Sequence, residues 1–125
     1  MTRFTLAYSF TPVFVRAVIG PGRLGAYALG HLDADFVPGY IGRSDCCLRD
    51  RLATHEQLGA FDYFIVCPSS SPTTAFNAEC ALWHACSQKR HHLENRVHPA
   101  RPRGSGLLCP YCDFAVQAIR AIRAA

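Results

Sequence analysis

No stretch of this 125-residue sequence approaches the ~20 consecutive apolar residues of a membrane-spanning helix, because Pro12 and Arg16 interrupt the apolar N-terminal run. The same run lacks the charged, then apolar, then small-residue order of a secretory signal, so the expected location is cytoplasmic with no membrane partner. Lysine is nearly missing, with one lysine against twelve arginines. That bias fits codon composition as readily as phosphate recognition. No internal repeat or low-complexity tract is visible, which excludes solenoid architectures. A second Cys-x-x-Cys pair is also missing, so Cys109-Pro110-Tyr111-Cys112 is at most half of a four-ligand zinc site.

What is present suits one compact domain. Half of the residues are hydrophobic, and the length allows one core but not two. The seven cysteines are odd in number and Cys46 and Cys47 are adjacent, where a mutual disulfide is strained. An extracellular disulfide framework is therefore not expected. The formal charge of +4 is concentrated: residues 89–103 hold Lys89, Arg90, Arg96, Arg101 and Arg103 against Glu94 alone. Such a segment suits a phosphate backbone.

Residues 1–24 close on Gly20-Pro21-Gly22, a turn cluster, and form an extension with at most an extra edge strand. Gly25 to Leu32 reads as a strand, and Phe36 to Gly42 as its hairpin partner after the acidic turn Asp33-Ala34-Asp35, with Pro38 weakening the ladder. Ser44 or Asp45 is positioned to cap a helix running to about His55. Phe61 to Val66 is a third, central strand. Pro72 suits the first turn of a helix from Thr73 to about Lys89. The expected fold is α/β, a small, mainly antiparallel three-stranded sheet flanked by helices over residues 25–98. A basic Cys-x-x-Cys appendage with a short helical tail spans 99–125.

The long helix carries the main chemical signal. Ala75, Phe76, Leu82, Trp83 and Cys86 lie at helical spacing around Glu79, which places a carboxylate in the middle of an apolar stripe. Burying an unpaired carboxylate is costly, so Glu79 requires a cation, a metal or a raised pKa.

In order, the chain presents Gly25-Ala26-Tyr27 on a strand, Tyr40-Ile41-Gly42-Arg43 on its partner, Arg51 and His55 on a helix, Glu79 on a later helix, and then Asn95. This order resembles the GIY-YIG nuclease family over residues 25–98. Ala26 stands where the family name has Ile, and Arg51 and His55 fall one residue later than the commonest spacing. The resemblance implies an endonuclease hydrolysing DNA phosphodiester bonds with Mg2+ or Mn2+ held by Glu79. It further implies a catalytic set of Tyr27, Tyr40, Arg51, His55, Glu79 and Asn95, with Gly42 and Arg43 near the substrate; the basic segment adds Arg96 as a substrate contact. Either tyrosine is a candidate to activate water, which at neutral pH needs nearby positive charge from Arg51, Arg43 or the metal to lower its pKa from ~10. No helix-turn-helix or zinc-finger module is visible to confer a specific target.

Structural roles remain open for every one of these residues. Tyr27 and Tyr40 also suit ordinary strand positions, Arg51 a solvated helix edge, His55 a helix C-terminus, Glu79 an ion pair with an arginine, and Asn95 a turn. The Cys109/Cys112 tetrapeptide is similar to a glutaredoxin active site, but too little chain follows it to complete that fold. Zinc on Cys109 and Cys112 with His91, His92 or His98 is the alternative to free thiols. A DNA-binding domain without cleavage, or a small protein-interaction domain, completes the set of functional readings.

Overall fold

A computed structural model describes residues 6–88, 93–95 and 97–112. The elements run β1 (Tyr8–Ser9), α1 (Pro12–Val18), β2 (Leu24–Asp33), β3 (Asp35–Ser44), α2 (Leu48–Ala53), β4 (Tyr63–Ser69) and α3 (Pro72–Gln88). The sheet has four strands in the order β1-β4-β2-β3, every pairing antiparallel. This corrects the three-stranded expectation. The N-terminal extension supplies the extra edge strand, Tyr8 and Ser9 pairing with Phe64 and Tyr63, and also α1, a helix the sequence reading did not anticipate.

The β2–β3 hairpin turns on Ala34, whose φ of 63° lies in the left-handed region. A register shift between Leu29 and Gly30 skips Gly39 of β3, so that Gly30 pairs with Pro38. Proline is tolerated there because β3 is an edge strand and the bulge already interrupts the ladder. Ser44 does not cap α2; its Oγ accepts from the Cys46 and Cys47 amides at 3.4 and 2.9 Å, and the cap position falls on Cys47. The start of α3 is better defined: Ser71 Oγ accepts the Thr74 amide at 3.2 Å and Thr74 Oγ1 the Ser71 amide at 3.1 Å, a reciprocal cap just ahead of Pro72.

Alternation along β2 divides the core between the two faces of the sheet. Tyr27 and Leu29 join Phe10, Val15, Ile19, Leu48, Leu52, Phe61 and Phe64 under α1 and α2. Ala28 joins Ile41, Ile65, Cys86 and Leu93 on the other face, with Leu82 and Trp83 of α3. Each large side chain buried in this way contributes about 1.5–3 kcal/mol. α3 therefore covers one face and α2 the other, and the edge strand β3 is where residues from both meet.

Candidate functional site

Tyr27, Tyr40, His55 and Arg51 converge at the β3 edge on the α2 face. Tyr27 of β2 is fully buried and pairs with Gly42 of β3, across which its ring lies. A Cβ on Gly42 would stand 2.4 Å from both Cζ and Oη of Tyr27. The close approach permitted by Gly42 thus accommodates Tyr27. Tyr40 stacks on Tyr27, with centroids 6.4 Å apart at 12°, and His55 meets both rings edge-on at 5.5 and 5.1 Å. Gly42→Ala should cost about 1–3 kcal/mol by overpacking, read as a lower denaturant midpoint at unchanged slope. An unaltered midpoint would show that the ring does not pack across the strand.

The hydrogen bonds fix the protonation of this group. The Gln57 amide donates to His55 Nδ1 at 3.0 Å, so that nitrogen carries no proton. Burial first and Arg51 second lower the His55 pKa, which keeps the ring neutral and puts its proton on Nε2. Nε2 lies 2.9 Å from Tyr27 Oη and therefore donates to it. The Arg51 charge also acts on the Tyr27 hydroxyl. With His55 donating to Oη, the phenol's own proton points elsewhere. Burial nevertheless pushes the Tyr27 pKa up to about 12, outweighing Arg51, and burial raises Tyr40 as well. The expected lowering by positive charge is therefore reversed, because desolvation of a phenolate costs more than one guanidinium returns. An open cleft of about 370 Å³, lined by Tyr40, Arg51, Thr54, His55 and Glu56, lies alongside.

Glu79 is the only charged residue between Pro72 and Gln88, and it sits among the apolar residues the helical spacing indicated, with Ala75, Phe76 and Cys86 buried. Arg43 Nη1 donates to its Oε1 at 2.8 Å. Burial pushes the Glu79 pKa up to about 7, with Arg43 opposing. Arg43, expected near substrate, directs its other donors to Asp45 at 2.8 and 3.3 Å and to the Ala100 carbonyl at 2.9 Å, and its guanidinium lies 5.3 Å over the Phe76 ring. The ion pair allowed for in the sequence reading is thus present. The Glu79 charge also bears on both tyrosines, and Arg51 bears on Glu79, so the carboxylate is electrostatically coupled to the cleft.

Asn95 acts on backbone. Its Oδ1 accepts the Ile41 amide at 3.1 Å and its Nδ2 donates to the Ile41 carbonyl, so the side chain mimics a further strand on the β3 edge. Trp83 Nε1 donates to the Asn95 carbonyl at 3.1 Å, tying this contact to α3. Arg96, together with Lys89, Arg90, His91, His92 and the tail 113–125, lies outside the described residues.

A second constellation lies beside Trp83, whose ring is 5.2 Å from those of His84 and His98. His84, His98, Cys109 and Cys112 bring one potential ligand atom each within 4.8 Å of one another, a cluster capable of coordinating a metal ion. His84 Nε2 lies 3.4 Å from Cys109 Sγ and 3.6 Å from Cys112 Sγ, and His98 Nε2 lies 3.4 Å from Cys112 Sγ. Cys109, Cys112 and His98 were candidates from sequence; His84 was not. Its signal was the helical spacing from buried Cys80, one turn earlier on α3.

Comparison with protein-family models, with curated proteins and with solved structures finds no match for this chain. No helix of the described residues is long and apolar enough to cross a membrane.

Proposed function

We propose that the protein is a metal-dependent endonuclease of GIY-YIG type that hydrolyses DNA phosphodiester bonds. The observation that supports this best is that Tyr40, Arg51 and His55 line one cleft with Tyr27 packed directly behind them. These residues come from three separate segments, and a stable fold has no need to gather two phenols, an imidazole and a guanidinium at one edge.

Phosphodiester hydrolysis requires positive charge on the phosphate, a group that handles the proton of water, and relief of charge on the leaving oxygen. Arg51 lines the cleft and offers planar, two-point recognition of a phosphate. Two phenols are candidates to exchange a proton with water: Tyr40, which lines the cleft, and Tyr27, buried behind it and bonded to His55. Asn95 holds β3 in register and so positions Tyr40 and Gly42. Mg2+ characteristically uses one or two carboxylates and keeps several waters, so the single carboxylate of Glu79 fits Mg2+ or Mn2+ through the oxygen that Arg43 leaves unengaged. Such an ion supplies Lewis-acid stabilisation of phosphate charge. The thiolate and imidazole donors of the His84/His98/Cys109/Cys112 cluster suit a softer ion of the zinc type, so that cluster is separate from the catalytic centre.

The Arg43–Glu79 ion pair favours a second reading, a DNA-binding domain of the same fold without cleavage. Supercoiled plasmid incubated with the protein and Mg2+ or Mn2+ separates the two. Metal-dependent nicking supports the nuclease; salt-sensitive binding without nicking supports the second reading.

A further inference from the structure

We propose that His84 Nε2, His98 Nε2, Cys109 Sγ and Cys112 Sγ bind one Zn2+ in a closed tetrahedral site that fastens the segment 97–112 to α3 and holds the Ala100 carbonyl on Arg43. The site goes beyond the nuclease reading and does not depend on it.

The distances carry the assignment. Zinc binds sulfur at about 2.3 Å and imidazole nitrogen at about 2.0–2.1 Å. Around a tetrahedral ion, sulfur and nitrogen then stand about 3.6 Å apart. Three of the four nitrogen–sulfur separations are 3.4, 3.6 and 3.4 Å, and all four ligand atoms lie within 4.8 Å of one another. Two imidazoles and two thiols are thus already grouped as ligands sharing one centre.

The surrounding hydrogen bonds agree with metal ligation. His98 Nδ1 lies 2.9 Å from the Pro99 carbonyl, so Nδ1 carries the proton and Nε2 presents its lone pair toward the sulfurs, as outer partners do for metal-bound histidines. The Tyr111 amide donates to Cys109 Sγ at 3.4 Å, an outer contact of the kind that orients a ligand. The tight Cys109-Pro110-Tyr111-Cys112 turn brings that amide to the sulfur. Cys80 is fully buried in the core cluster beside Phe76 and Cys109. It neighbours the site and is not one of the four grouped ligand side chains.

The segment gains little from apolar burial. Val97, Leu108 and Tyr111 are exposed, while Cys109, with the partly buried Leu107 and Cys112, joins Phe76 and Cys80 in the small third core cluster. Between Val97 and Cys112 there is no helix or strand, so ordering this stretch needs a strong local contribution. A four-ligand zinc site supplies one. Ala100 follows His98 by two residues and accepts from Arg43, so the same closure fixes the cation beside Glu79.

Native mass spectrometry and elemental analysis of the full chain purified without chelator should show one zinc per chain. His84→Ala, His98→Ala and Cys112→Ser should each weaken zinc binding by at least about tenfold, whereas Cys80→Ala should retain it. Circular dichroism of each variant separates loss of metal from loss of fold, and the Co2+-substituted wild-type protein gives a tetrahedral thiolate spectrum without any substitution. Removing the ion from the wild-type protein should abolish hydrogen-exchange protection in 97–112 and leave β2 and β4 protected. A metal-free native protein with no tetrahedral cobalt spectrum overturns the site. Zinc loss in Cys80→Ala, or full retention in a folded His84→Ala or His98→Ala variant, overturns the ligand set. Unchanged protection in 97–112 after metal removal overturns the fastening role. None of these readouts uses nuclease activity, so a protein that binds zinc and never nicks DNA refutes only the nuclease reading.

Discussion

Glu79→Gln should reduce Mg2+-dependent nicking by roughly 10²–10³-fold or more, the scale seen when a preorganised charge-stabilising group is removed from an active site. Glutamine is a better probe than alanine here. Sequence alone suggests that removing a buried carboxylate relieves strain, but Arg43 donates to Glu79 Oε1 at 2.8 Å. Truncating one partner of a buried pair leaves the other charge uncompensated, at about 3–5 kcal/mol. Asp45 softens that cost without removing it, because it already receives two bonds from Arg43. Glutamine keeps an oxygen for Arg43 and loses the charge that a divalent ion requires. Full nicking by a folded Glu79→Gln protein would reject the metal role and leave Glu79 a structural ion pair.

The same substitution has a pH signature in metal-free protein. The folded-state pKa of Glu79 is raised from 4.5 to about 7. A carboxyl shifted upward favours the fold while protonated in both states, and that contribution is lost as pH rises through about 7. Wild type and Glu79→Gln should therefore unfold at similar temperatures near pH 4. Above pH 8 the glutamine variant should gain, by at most about 3 kcal/mol. Parallel pH profiles for the two proteins would mean that Arg43 fully compensates the buried charge.

Much of this architecture was legible because local and global signals agree. Strand β2 is bracketed by Gly20-Pro21-Gly22 and the hairpin turn Asp33-Ala34-Asp35, and α3 has both a proline start and a long apolar stripe. Helix α1 was obscured by Val13, Val15 and Val18, β-branched residues that favour strands. Its true signals were Thr11, whose Oγ1 accepts the Phe14 amide at 3.3 Å, and Pro12 at the first turn. The clustering of Tyr27, Tyr40, Arg51 and His55 follows the order of motifs along the chain. Protonation is different, because it depends on burial that no spacing reveals. Positive charge near Tyr27 was foreseeable; that desolvation would outweigh it was not. The metal cluster was half visible for a similar reason. His84 lies 25 residues before Cys109, and only the return of segment 97–112 across α3 brings them together.

Tyr27→Phe should lower nicking by roughly 10²–10⁴-fold, the contribution of a positioned proton-transfer group, with the fold largely retained. Phenylalanine keeps the ring that crosses Gly42 and stacks on Tyr40, and it removes Oη alone. His55 Nε2 then loses its acceptor, which costs about 1–3 kcal/mol. The pH profile separates proton transfer from packing. With its pKa near 12, Tyr27 is almost wholly protonated between pH 6 and 9, and the phenolate fraction rises tenfold per unit across that window. The neutral phenol's contribution to folding is intact below pH 10 and lost only as pH rises through about 12, so unfolding does not enter the window. Ionisation of Glu79 contributes to the activity profile up to about pH 7 and then levels off. A rate that keeps climbing above pH 8 in wild type, and is flat as well as low in Tyr27→Phe, identifies Tyr27 as the base acting on water, with His55 and Arg51 stabilising the phenolate as it forms. A variant with wild-type rate and slope would show instead that Tyr27 only packs the β3 edge, leaving Tyr40 as the tyrosine facing the cleft.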